Sequence, residues 1–158
     1  MEGERAIGGR ISSPFSCLPR CSVAQATEGD DHGRVPFEIR DEGGFFSARM
    51  FGVLDLKELE AITAEVERLE ESGTVGDRLT DLSELERIDV GFEEVFAVAL
   101  KRALRPIRTP IRSALVASKP VQFGFARMFQ MLNDNPRIQI RIFDNRPEAE
   151  QWLRSFRR

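Results

Sequence analysis

Ser113-Ala114-Leu115-Val116-Ala117, then Pro120 followed by Phe123-Gly124-Phe125-Ala126-Arg127-Met128-Phe129-Gln130-Met131-Leu132, then Ile138-Gln139-Ile140-Arg141-Ile142, read as strand, helix and strand. The first run is short and wholly apolar apart from its serine, the pattern of a strand covered on both faces. Proline fits the first turn of a helix, and Phe125, Met128, Phe129 and Leu132 then fall at helical spacing. The isoleucines alternate with Gln139 and Arg141, the period of a strand. Two strands joined through a helix are parallel neighbours, and this unit sets the terms for the rest of the chain.

Upstream, Phe37 and Ile39 flank Glu38, residues 41–44 (Asp-Glu-Gly-Gly) supply turn chemistry, and Phe46, Ala48 and Met50 alternate with Ser47 and Arg49. That spacing predicts a β-hairpin. Asp55 is placed to cap a helix carrying Leu59, Ile62, Val66 and Leu69 on one face, ended by Gly73. A short strand is expected over Arg78 to Leu82, and a helix over Phe92 to Leu104 whose apolar residues cover more than one face. Asp144 or Asn145 with Pro147 starts a last helix that packs through Ala149, Trp152, Leu153 and Phe156. The expected fold class is α/β: a five-stranded mixed sheet, an N-terminal hairpin with the remainder mostly parallel, and about four helices.

The chain has 158 residues, enough for one domain. Residues 1–34 hold scattered Gly, Ser, Pro and Asp without sustained period and are expected to be a disordered N-terminal tail or an upstream extension, leaving 35–158 as the domain. No stretch of 18 apolar residues occurs and no targeting segment is evident, so a cytoplasmic protein without an integral membrane segment is expected. Hydrophobic residues make up 41% and charged residues 31%, which excludes a disordered polyelectrolyte.

Charge is polarised along the chain: residues 54–100 carry 4 basic and 14 acidic groups, residues 101–158 carry 13 and 4. Either these segments neutralise each other across one domain, or an acidic face meets a basic face of a second copy. Lys101, Arg102, Arg105, Arg108 and Arg112 lack interleaved aromatics, so a nucleic-acid partner is not expected.

Catalytic vocabulary is thin. His32 is the only histidine, Cys17 and Cys21 are the only cysteines, and there is no Tyr. Cys17, Cys21 and His32 lack a fourth ligand, so no metal is expected. No glycine-rich phosphate loop succeeds a strand, so no cofactor is expected either. Glu70-Glu71 and Glu93-Glu94 read as solvated surface. Asp81 and Asp89 stand near the carboxyl end of the third strand, where open α/β sheets place ligands, or else they cap the adjoining loop or helix.

Three segments carry a family resemblance. Thr80-Asp81-Leu82-Ser83-Glu84-Leu85-Glu86-Arg87-Ile88-Asp89 resembles a strand and loop of the STAS superfamily. Gly124-Phe125-Ala126-Arg127-Met128-Phe129 resembles a helix of its SpoIIAA-like branch, and Phe143 through Leu153 resembles the closing strand and helix. The resemblance implies a STAS-like fold over residues 36–154 and a non-catalytic interaction or regulatory module with a protein partner or a second copy. Related anti-sigma-factor antagonists carry a phosphorylated Ser or Thr where this chain has Val90-Gly91-Phe92, so a phospho-switch is not expected here.

The surplus apolar groups have two uses. Phe92, Phe96, Phe123 and Met131 border a partner or homodimer surface, or they are core residues under loops. Alternatively the chain carries or senses a small apolar or lipid-like carboxylic acid, with Arg127 holding the carboxylate; Arg127 could equally pair with Asp81 or Asp89, or extend over apolar surface into water.

Overall fold

The structure is a computed structural model, and it describes residues 37–73 and 76–155. The expected tail over residues 1–34, with Cys17, Cys21 and His32, lies outside the described residues, as does Phe156.

Phe37–Asp41 (β1) and Phe45–Leu54 (β2) form the hairpin, followed by Leu56–Glu71 (α1), Asp77–Ile88 (β3) and Phe92–Ala103 (α2). Ile111–Val116 (β4), Pro120–Leu132 (α3), Ile138–Phe143 (β5) and Arg146–Arg154 (α4) complete the chain. The sheet order is β1-β2-β3-β4-β5, with β1 antiparallel to β2 and every later pair parallel. This is the expected five-stranded mixed sheet with four helices.

The helices start and stop where side-chain chemistry allows. Asp55 accepts a hydrogen bond from the Glu58 N–H (2.9 Å), and Asn145 accepts one from the Glu148 N–H (3.0 Å), each satisfying a donor the first turn leaves open. Gly73, at φ +72°, takes the left-handed conformation that ends α1 at little cost.

Three successive crossovers step the same way across the sheet, and crossovers of one hand must then lie on one face. Accordingly, α1, α2 and α3 share a core with one side of the sheet, built around Leu54, Leu59, Leu82, Leu85, Val95 and Ala126. The last helix has no following strand to constrain it and covers the other face, where Ala149, Trp152 and Leu153 pack with Phe45, Leu79 and Val116.

One expectation needs correction. The third strand does not stop at Leu82 but continues to Ile88, twelve residues in all, alongside the ten-residue β2. Register shifts between Arg49 and Phe51 and between Gly52 and Val53 break the period-two pattern, so Leu82 and Leu85 both face the core. Pairing with β4 ends at Asp81↔Val116, leaving the far side of the β3 extension without a strand. Gln122, wholly buried at the start of α3, fills that role. Its Nε2 donates to the carbonyls of Leu85 (2.9 Å) and Ser83 (3.2 Å), while its Oε1 accepts from the Ser118 and Lys119 N–H groups.

Buried carbonyls left without donors are costly, so Gln122→Leu is expected to destabilise the fold by about 1–3 kcal/mol despite its similar size. Urea unfolding should show a lower midpoint with an unchanged slope; an unchanged midpoint would mean that the β3 extension holds without this side chain.

Candidate functional site

Between the α1–α3 layer and the sheet lies a cavity of about 80 Å³. Its wall is mainly apolar, formed by Leu59 and Ile62 of α1, Met50 and Leu82 of the sheet, and Phe125 and Phe129 of α3. Two arginines, Arg78 at the start of β3 and Arg102 at the end of α2, also line it, with Ser113. Both are buried, at 5% and 4% exposure.

One carboxylate serves the two guanidinium groups. Glu70 Oε1 accepts from Arg78 Nη1 (2.6 Å) and Arg102 Nη2 (2.5 Å), and Oε2 accepts from Arg102 Nη1 (2.8 Å). Arg78 Nε donates to Ser113 Oγ at 3.2 Å. Burial, followed by the charge of Arg102, pushes the Arg78 guanidinium down to about 10 against the upward pull of Glu70. Burial pushes the Glu70 carboxyl up, but the hydrogen bond and charge of Arg102, with Arg78 and Arg105, leave it below its ordinary value of 4.5. Two cations thus share one anion in a water-poor interior.

The acidic α1 and the basic end of α2 meet around this group. Glu67 pairs with Arg105 (3.0 Å) and Lys101 (3.2 Å), Glu71 with Arg105 (2.9 Å), and Asp77 with Arg112. Part of the charge polarity of the sequence, Glu67, Glu70, Glu71 and Asp77 against Lys101, Arg102, Arg105 and Arg112, is therefore neutralised within one domain. Glu70 is not the solvated residue its sequence context suggested, since its side chain is only 12% exposed.

The residues singled out from sequence fall in separate places. Asp81 is buried within β3 rather than at its end; its Oδ1 accepts from the Ser83 hydroxyl (2.6 Å) and N–H (3.0 Å), with Arg146 4.0 Å away. Asp89, just after β3, is exposed and paired with Arg87 at 2.7 Å. Phe92 and Phe96 stack at 5.9 Å on the outer side of α2. Phe123, Arg127 and Met131 are all exposed on α3, one turn apart. Arg127 donates to Gln130 Oε1 (2.6 Å), so it is not brought to Asp81 or Asp89.

Leu100 and Leu104 extend the α2 line, giving Phe92, Phe96, Leu100 and Leu104 at four-residue steps with exposures of 56, 42, 47 and 77%. The helix is already packed through Val95, Val98 and Ala99. This outer line is thus in excess of what the core needs.

Arg78, Arg102 and Glu70 were missed as site residues because formal charge reads as surface. Their phase held the signal: Arg102 continues the buried Val95-Val98-Ala99 stripe, Glu70 succeeds Ile62 and Val66 at four-residue steps, and Arg78 shares the inward face with Leu82.

Among the described residues, no group of three or more His, Cys, Asp and Glu is arranged to hold a metal, and no helix is long and apolar enough to cross a membrane. The arrangement offers a cationic cavity on the inside and an apolar surface on the outside.

The fold is that of SpoIIAA, the STAS-like α/β architecture. Similar solved structures include an uncharacterised DUF3478-family protein with a SpoIIAA-like fold from Shewanella loihica, at 17% identity and a TM-score of 0.51, covering 80% of this chain and 99% of that one. The unphosphorylated anti-sigma factor antagonist SpoIIAA is similar at 20% identity and a TM-score of 0.50, covering 78% of this chain and 100% of its own. No family model matches the chain, and no curated protein matches it.

Removing the shared carboxylate leaves two buried cations facing each other. Glu70→Gln is expected to cost about 3–5 kcal/mol near neutral pH. Because Glu70 titrates lower in the fold than in the unfolded chain, its contribution is complete above its ordinary 4.5 and is lost as pH falls through the lower native value. Urea unfolding from about pH 7 to about pH 3 should therefore fall more steeply for the native chain than for Glu70→Gln. Parallel curves would remove the carboxylate from this role.

Proposed function

We propose that this chain is a non-catalytic, cytoplasmic interaction module that binds a protein, a second copy of itself in the form tested below, through the outer side of α2 and the adjoining α3. The observation that carries this reading is the line Phe92, Phe96, Leu100 and Leu104, exposed at four-residue steps on a helix whose opposite face is already buried. Phe123 and Met131 add apolar groups on α3, which packs beside α2. Apolar side chains concentrated in this way gain from being covered, and aromatic anchors dominate protein interfaces energetically.

SpoIIAA, which has this fold, is an anti-sigma factor antagonist; what carries over is the use of the fold for protein contact. The entrance to α2, Asp89-Val90-Gly91-Phe92, offers no hydroxyl for a phosphate. There Glu94 accepts the Gly91 N–H at 2.9 Å and supplies the negative charge a helix N-terminus favours. In this reading association is set by concentration and partner rather than by phosphorylation at that position.

Sedimentation equilibrium of the full chain tests the proposal. A dimer is expected, and the paired variant Phe96→Ser/Leu100→Ser should weaken it at least tenfold while leaving the circular dichroism spectrum unchanged. A native chain that stays monomeric, or a dimer indifferent to this variant, would refute the role of the α2 surface in self-association.

A further inference from the structure

The cavity beneath α1 and α3 has chemistry that the outer surface does not explain. It is walled by Leu59, Ile62, Phe125 and Phe129, yet the buried guanidinium of Arg78 lines it as well. A core needing only to be filled would place apolar groups there, because charge is costly in such surroundings.

We propose that this cavity binds a short-chain apolar monocarboxylate, its carboxylate against Arg78 and Arg102 and its alkyl portion against the α1 and α3 side chains. The ligand class rests on three constraints. The two guanidinium groups that line the cavity face a single carboxylate, Glu70, so the cavity itself presents cationic donors to a monoanion. A carboxylate also matches the planar donor geometry of a guanidinium.

Size supplies the second constraint. About 80 Å³ is roughly half the ~150 Å³ that accommodates benzene, which suits an acid of a few carbons. The third constraint is the wall. Water needs two to four polar partners, and a sulfate or phosphate needs donors on every side; here Arg78, Arg102, Ser113, Thr63 and Thr80 are the polar lining groups and the rest of the wall is apolar. An alkyl group meets the remainder without loss. The carboxylate-holding role expected of Arg127 is thereby placed at Arg78, and the site is separate from the α2 surface line.

Isothermal titration calorimetry of the full chain with sodium butyrate, butan-1-ol and sodium sulfate is the direct test. Butyrate should bind saturably, one per chain, with a Kd on the order of 1 mM or tighter. Butanol should bind at least tenfold more weakly, and sulfate should not displace butyrate. Arg78→Met should lower butyrate affinity at least tenfold. Because that variant also disturbs the ionic group, Val66→Phe, at another wall residue contributed by α1, provides an independent check by filling the cavity while leaving the arginines in place. It should remove butyrate binding while retaining the native circular dichroism spectrum. The proposal is overturned if butyrate shows no saturable binding, if butanol binds equally well, if sulfate displaces butyrate, or if binding persists in folded Val66→Phe.

Discussion

The Glu70 carboxylate, held between Arg78 and Arg102, is the constraint around which the buried charge of this domain is arranged. Glu70 lies near the end of α1, Arg78 near the start of β3 and Arg102 near the end of α2, so one ionic group ties three elements at one end of the helical layer. Each of these charges is out of water, and a single carboxylate answers both guanidinium groups. Glu67, Glu71 and Asp77 extend the pairing outward to Lys101, Arg105 and Arg112. The acidic middle and basic end of the chain thus act as complementary halves of one domain.

The same layer is organised at its other end by uncharged hydrogen bonding. Gln122 joins the N-terminus of α3 to a β3 extension that β4 does not accompany, and the Lys119 ammonium adds a bond to the Leu85 carbonyl at 3.2 Å. With both ends held, α2 keeps Val95, Val98 and Ala99 inward and leaves its phenylalanines and leucines outward. The cavity and the exposed line therefore lie on opposite sides of one helical layer. Occupation of the interior and contact at the exterior bear on the same elements.

Much of this was legible in the residues alone. Asp55, Pro120 and Asn145 announce helix starts because only a few side chains suit those positions, and the alternating isoleucines of β5 admit one reading. Chain order with parallel pairing then determines which helices share a face. The length of β3 was not legible, because the register shifts between Asp81 and Glu84 and between Leu85 and Arg87 disrupt the alternation by which a strand is recognised. Phe123 and Met131 could be seen to point away from the α3 stripe, since helical phase alone decides that. The buried arginines escaped notice for the opposite reason: their phase was correct for the core, but partner identity depends on α1, β3 and α2 meeting in three dimensions.

The central claim is that this ionic group is retained for the charge it places in the cavity rather than for stability. Urea unfolding of the combined variant Glu70→Leu, Arg78→Met, Arg102→Met and Ser113→Ala addresses it most directly, since all members are replaced together and no charge is orphaned. The account expects a folded chain as stable as the native one, or more stable by about 1–4 kcal/mol. A loss of more than about 3 kcal/mol in a chain that still folds would make the group a structural clasp and contradict the claim.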